Sequence, residues 1–403
     1  MVFSRLTALQ TRLLLAIIAG VVLTTNIVAY GGFLLKQETP TGTTASMLGG
    51  DYVVFYLAGA ADVRADPASV YDPDRFLKTL QDTVQSKEPV VLPWLYPPTM
   101  LFITEAPAQL DFAAAFFLWE GAFLCLFLLV LWRIWPNPWA LFIVAASPAV
   151  FRAIITGQNG LLTGALFAAA IYWSATRPRA AGAAAALLTV KPQFGVLIPI
   201  AYAAGRHWRA FLFATLLTLA FLAASLVVYG ADSWSAMLAG HMKNPANFGV
   251  EGSPLPLMMS IFNAARLIGA PFPVAIALQT AMTIGIAFCV VRVMRRTDDR
   301  DLRLALLATA APLATPYALH YDSAVLLPGL YVLAKIGVTR GFLRYEAIAL
   351  GVMFFAPEIS PMPAETKIPM PFLIALVALL LAMRRVVTEI TSASAGSTAR
   401  PDS

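Results

Sequence analysis

Residues 13–35 read LLLAIIAGVVLTTNIVAYGGFLL, an apolar run without a charged side chain. A bilayer core takes about 20 such residues as a helix, so this run reads as a first membrane span. It is too long for a signal-peptide core and lacks a convincing small-residue cleavage site, so it is expected to persist as a signal anchor. Similar blocks recur almost end to end along the 403 residues, with short polar joints between them. With 59% of residues hydrophobic, 12% charged and a mean hydropathy of +0.74, the composition excludes a soluble domain. The expectation is an all-α polytopic membrane protein. One integral domain would cover 1–390, and the polar tail TSASAGSTARPDS at 391–403 is expected to be disordered.

The apolar blocks suggest about twelve spans. They begin with Leu13 to Leu35, Leu110 to Trp132, Pro138 to Phe151, Leu161 to Trp173, Ala180 to Val190 and Gln193 to Ala204. Ala210 to Tyr229, Phe272 to Val291, Leu302 to Leu313, Ser323 to Lys335, Tyr345 to Phe355 and Met370 to Met383 complete the set. Lys and Arg outnumber Asp and Glu by 28 to 22, and the excess lies in clusters at block ends. That pattern reports orientation and not nucleic-acid binding. With Arg5 and Arg12 inside, the joints holding Arg133, Arg177 and Arg179, Arg206 and Arg209, Arg292 to Arg303, Arg340 and Arg344, and Arg384 and Arg385 also fall inside. Both termini are then cytoplasmic. The pair around Lys191 is short, about 16 Å for Ala180 to Val190. It reads as a helical hairpin with Lys191 near the outer face, or as one helix kinked at Pro192. Cys125 and Cys289 lie in apolar runs and read as packing residues, with no disulfide and no metal site.

The longest polar insertion, about 36–95, falls outside in this topology. Asp51, in GGDYVVFYLAG, is placed to cap a helix through about Ala61. A second helix should follow YDP, with Asp72 as cap, Pro73 at its first position, and Phe76, Leu77, Leu80 and Val84 on one face. Two amphipathic helices lying on the outer leaflet fit the stretch. Arg152 to Asn159, Ala231 to Pro254, Thr315 to Asp322 and Pro357 to Pro369 read as further outer loops.

Asp51, Tyr56, Tyr96, Arg152, Gln158, Asn159, Lys191, Gln193, His320 and Asp322 thus share one side of the membrane. An acid held near lipid needs a reason. A set of carboxylates, a histidine and cations can accept a proton from a hydroxyl while stabilising a departing phosphate.

The strings GGDYVVFYLAGA (49–60), VYDP (70–73), WLYPPTMLFITEAPAQL (94–110), ITGQNGLLTGALFAAAIYW (155–173), LLTVKPQFGVLIPI (187–200) and APLATPYALHYD (311–322) occur in an order that resembles glycosyltransferase family 87. That family comprises GT-C-fold enzymes dependent on polyprenol-phosphate sugars, including mannosyltransferases of phosphatidylinositol mannoside assembly. The resemblance implies a GT-C-like bundle in a bacterial inner (plasma) membrane, with its site on the periplasmic or extracellular side. It further implies a polyprenyl phosphate sugar as donor, with mannose as its hexose, and a glycolipid or glycan as acceptor. Asp51 then matches the first-loop general base. His320 falls where the family carries a histidine, either to orient that base or to meet the donor phosphate.

Each residue also has a plainer reading. Asp51 can be a helix cap, alone or in addition to its chemistry. Lys191 can bind a lipid phosphate or simply snorkel to the interface, and Arg152 can fork onto phosphate or anchor a span end. Gln158 and Asn159 can hold sugar hydroxyls or cap a helix. Tyr96 can stack on a sugar or open a helix with Pro97 and Pro98, and Tyr56 is a further substrate contact. His320 can be a structural interfacial histidine, and capping explains Asp322 better than catalysis. The stretch of Phe116, Phe117, Trp119 and Phe123 reads as packing or lipid-facing. No metal or other cofactor is implied, because a monophosphate donor needs less charge compensation and no acid cluster offers a divalent site. A transporter or flippase for a lipid-linked or anionic substrate is the principal alternative, followed by a scaffold. The one-sided polar set and the long first insertion favour an enzyme.

Overall fold

The computed structural model describes residues 8–36, 49–84, 92–243, 255–359 and 366–398. Within them the secondary structure is helical, apart from one isolated antiparallel bridge between Met258 and Leu319. Six helices are long and apolar enough to cross a bilayer: Leu13–Gly32, Phe112–Ile134, Trp208–Gly240, Phe272–Arg296, His320–Arg340 and Met370–Ala393. Pro138–Ala145 and Pro148–Ile155 can supply a seventh, broken by a bend of 47°. Pro148 has no N–H to continue the first helix, and the Ser147 hydroxyl accepts from Val150 N at 3.4 Å to start the second.

The other five expected spans are helical but short: Gly160–Tyr172, Pro178–Leu187, Leu197–Ala204, Arg300–Ala310 and Glu346–Phe355. At about 1.5 Å per residue none covers a core of about 30 Å. By length and composition, six or seven of the twelve or so expected spans therefore qualify as single full-length helices among the described residues. Apolar sequence has two causes here. Only 6% of the apolar window is buried by protein in Leu13–Gly32 and in Trp208–Gly240, which leaves those faces for lipid. By contrast Gly160–Tyr172 is buried at every position, so its hydrophobicity serves the protein core and sets no length.

Three further boundaries differ from expectation. At Lys191, 3₁₀ turns at Leu188–Val190 and Pro192–Gly195 separate two short helices, in line with the hairpin reading and not with one kinked α-helix. Pro192 disfavours α geometry at Lys191 and offers no donor, so the ladder fails there. Helix Trp208–Lys243 continues past Tyr229 into the expected loop, interrupted only at Gly230, whose φ of 72° is cheap for glycine. The last helix reaches Thr398, well into the expected disordered tail. At the start of that stretch the Thr391 hydroxyl donates to Val387 O, one turn back, at 2.9 Å. In the first insertion, Pro73–Val84 is amphipathic as expected, with Asp72 capping Asp74 N and Arg75 N and with Phe76, Leu80 and Val84 buried. Tyr52–Ala58 instead packs into the protein with Tyr52, Val53, Val54, Phe55 and Ala58 buried, so it does not lie on a leaflet.

The chain divides into two compact units. The first takes the described residues up to Leu162, Thr189–Lys191 and the stretch from Leu219 to the end of its helix. An aromatic core fills it, in which Phe55 lies 4.9 Å from both Tyr96 and Trp119 between ring centroids, and Tyr52 lies 5.6 Å from Trp119. The second takes Thr163–Leu188, Pro192–Thr218 and the described residues from 255 onward. Its helices Arg300–Ala310 and Leu327–Arg340 approach closely, since a Cβ on Gly329 would lie 3.0 Å from Thr309 Cγ2 and 3.1 Å from Ala305 O. Small residues make that approach possible.

Candidate active site

Two glycine-bearing strings make the first unit's site by crossing. Gly49 and Gly50 have φ of 77° and 46°, and Gly157 has φ of 65°, a region that side chains other than glycine enter at a cost. A Cβ on Gly157 would fall 2.0 Å from Gly49 O and 2.6 Å from Tyr52 N, so the two backbones touch only because no side chain intervenes. Asp51 N donates to Thr156 O at 2.9 Å across this crossing. The turn thereby places Asp51 beside Gln158, 107 residues away in sequence.

Asp51 opens the Tyr52–Ala58 helix but makes no side-chain cap bond. Its carboxylate instead accepts from Gln158 Nε2, at 2.9 Å on Oδ2. A carboxylate only accepts, so the Gln158 amide must turn its nitrogen to Asp51 and its oxygen away. That oxygen accepts from Tyr96 Oη at 3.0 Å. Tyr96 is itself held by Tyr71 Oη, which donates to its carbonyl at 2.8 Å, and by ring contacts with Phe55 and Trp94 at 4.9 and 5.2 Å. Gln158 is 5% exposed and Asp51 half-buried. The result is a carboxylate in a fixed rotamer, at the end of a relay anchored in an aromatic core.

Lys191 enters from the other side. Only 3% exposed, it donates from Nζ to Asn159 Oδ1 at 3.0 Å, and Nζ lies 5.9 Å from the Tyr96 ring centroid, within cation–π range. Thr99 Oγ1 meets Thr189 O at 3.4 Å and ties the two approaching segments. A lysine with these partners does not snorkel to water, so the interfacial reading is displaced. Asn159, fully buried, receives an ammonium and is not merely a helix cap.

Arg152 lies half-buried in the last turn of Pro148–Ile155, where its carbonyl accepts from Thr156 Oγ1 at 2.8 Å. Tyr56 donates its hydroxyl to Leu110 O at 2.9 Å and packs edge-on against Phe112, so that hydroxyl braces the insertion against the next span. His320 and Asp322 belong to the second unit. Asp322 Oδ2 accepts from Leu319 N at 3.0 Å, reaching back within its own turn, His320–Val325. His320 is 9% exposed and lies 5.5 Å from Tyr321 between ring centroids. Its loop is braced by Met259 N donating to Ala318 O at 2.7 Å and by Ser260 Oγ and Asn263 Nδ2 both bonding Pro316 O.

Sequence reasoning passed over Glu120, which sits inside the Phe112–Ile134 span, 4% exposed, with neither carboxyl oxygen hydrogen-bonded among the described residues. Its field reaches Tyr52, whose phenol is pushed up chiefly by burial and then by Tyr56 and Glu120. The signal was available: an acid within an apolar run invites the same question as Asp51.

Residues 94–316, more than half the chain, match glycosyltransferase family 87. Tyr96, Arg152, Gln158, Asn159 and Lys191 lie within the matched region, and Asp51, His320 and Asp322 lie outside it. No curated protein and no solved structure matches the chain significantly. The apolar spans and the matched region together make this chain an integral membrane protein that belongs to glycosyltransferase family 87.

Proposed function

We propose that the chain transfers a hexose, mannose by its family resemblance, from a polyprenyl phosphate sugar to a hydroxyl of a glycolipid or glycan. The observation that carries this reading is the Gln158-held Asp51 carboxylate, joined through Tyr96 to a buried Lys191. Asp51 takes the proton of the acceptor hydroxyl as its oxygen bonds the anomeric carbon. The bond from that carbon to the phosphate oxygen breaks, and the lipid phosphate leaves with the electron pair. Lys191, with Arg152, stabilises the charge gathering on the phosphate. A single displacement inverts the anomeric centre, so a β-linked mannosyl phosphate gives an α-mannoside. The site faces the periplasmic or extracellular side, opposite the arginine-rich joints.

The test incubates membranes bearing wild type or Asp51→Asn with radiolabelled polyprenyl phosphate mannose and extracted acceptor lipids. Transfer should fall by about 10²–10⁴-fold in the variant. Undiminished transfer removes Asp51 as base. Solute movement into vesicles, with no transfer by wild type from any lipid-phosphate sugar, replaces the enzyme reading with a transporter.

A further inference from the structure

A cavity of about 600 Å³ in the second unit is lined by Arg177, Pro178, Arg179, Ala180, Arg209 and Phe213. No acidic residue is among these, and no ion pair or hydrogen bond engages the three guanidinium groups among the described residues. Aromatic rings hold two of them in place, with Arg177 Cζ 5.8 Å from the Trp173 ring centroid and Arg179 Cζ 5.6 Å from that of Phe213. The helices that bear them are close-set, because Gly182 admits Phe213 so tightly that a Cβ there would lie 2.5 Å from Phe213 Cβ, while Arg177, Arg179 and Arg209 are all exposed around an open mouth.

The charges are also badly placed for the helices that bear them. Arg177 is the N-cap of Pro178–Leu187 and Arg179 its second residue, while Arg209 is the second residue of Trp208–Lys243. Neither helix carries an acid in its first turn. Cations at the positive end of a helix dipole are unfavourable, so the cavity concentrates uncompensated positive potential from three side chains. An anion with several oxygens relieves it, and the planar guanidinium fork suits phosphate.

The cavity's position selects among phosphates. Trp208, 59% exposed, begins a span whose apolar window is almost wholly free of protein contact. An exposed tryptophan at a span end marks the bilayer interface. We infer that the Arg177–Arg179–Arg209 cavity binds the phosphate of an anionic lipid headgroup, on the membrane face where the chain's arginine clusters gather. Basic pockets between membrane helices bind such headgroups. The inference does not depend on the transfer chemistry proposed above.

The test is native mass spectrometry of the full chain released from nanodiscs of phosphatidylcholine with or without phosphatidylglycerol. Wild type should retain phosphatidylglycerol in preference to phosphatidylcholine. The R177Q/R179Q/R209Q variant should bind it more weakly by about fivefold per arginine, on the order of a hundredfold in all. The R292Q/R295Q/R296Q variant, which removes equal charge elsewhere, should retain it. Equal retention by the cavity variant overturns the site, and equal loss in the control variant reduces the effect to general charge and overturns it too. A midpoint shift with millimolar inorganic phosphate, without lipid retention, overturns the lipid assignment. Should the triple variant fail to fold in phosphatidylcholine, R209Q alone decides by the same readout at about fivefold.

Discussion

Gly157→Ala tests whether the crossing of the two glycine strings builds the site. The new Cβ would sit 2.0 Å from Gly49 O, 2.5 Å from Tyr52 Cβ and 2.6 Å from Tyr52 N. Normal contact requires the carbonyl to retreat by more than about 1 Å. Alanine in the left-handed region, where Gly157 has φ of 65°, costs about 1–2 kcal/mol, and forced expansion of a packed contact adds about 1–3 kcal/mol. The variant should therefore lose about 2–5 kcal/mol locally. The segment that moves carries Asp51 away from Gln158 Nε2, and a misplacement of about 1 Å costs about 10²-fold in rate. The assays are the thermal midpoint in one detergent and transfer from radiolabelled polyprenyl phosphate mannose. Gly20→Ala is the control, because its Cβ meets nothing within 4 Å in a helical span, and alanine there should leave both readouts unchanged or slightly improved. A Gly157→Ala protein with wild-type midpoint and wild-type transfer would refute the crossing as the device that sets Asp51.

Gln158→Glu puts a second carboxyl 2.9 Å from Asp51; the pair then shares a proton, and the acid limb of the pH–rate profile should move to higher pH. A profile superimposable on wild type would show that Gln158 does not govern the base. Glu346→Gln breaks a buried ion pair with Arg385, each residue 2% exposed, and should lower stability by about 3–5 kcal/mol, measured as a drop in thermal midpoint; replacing both partners by Leu and Met should recover most of it. His207, between spans and 3.1 Å from Arg303 through Nε2, is pushed down by burial first and then by Arg303. The unfolded chain therefore takes up this proton at about pH 6.5 while the folded one resists, so stability should fall as pH drops below about 6.5. His207→Gln should flatten that slope between pH 5 and 7, and an unchanged slope excludes the imidazole as its source.

Five of the candidate residues, Asp51, Tyr96, Gln158, Asn159 and Lys191, meet in one network in the first unit, yet their pairing was not legible in the chain. Each was conspicuous because a polar group beside lipid needs a partner. Which partner it finds depends on the backbone crossing at Gly49, Gly50 and Gly157, and in sequence a glycine reads only as a loop. Glu120 was hidden for the opposite reason, since its aromatic neighbours made the whole run look like packing. The division of His320 and Asp322 into the other unit likewise follows from long-range contacts and from no local signal.

The sequence by itself determined the solvent of this protein and its chemical repertoire. Charge-free apolar runs require helices in a bilayer, because backbone polar groups there can be satisfied only within the segment. Ordered polar strings between those runs supplied the residues and their family likeness. Tertiary structure decided which apolar helices are wrapped by protein and which leave a face bare, because lipid and protein interior reward the same side chains. It also decided which oxygen of Asp51 is held, by which amide, and how near the ammonium of Lys191 comes to Tyr96. Those are distances between segments about a hundred residues apart, and short-range propensity carries no information about them.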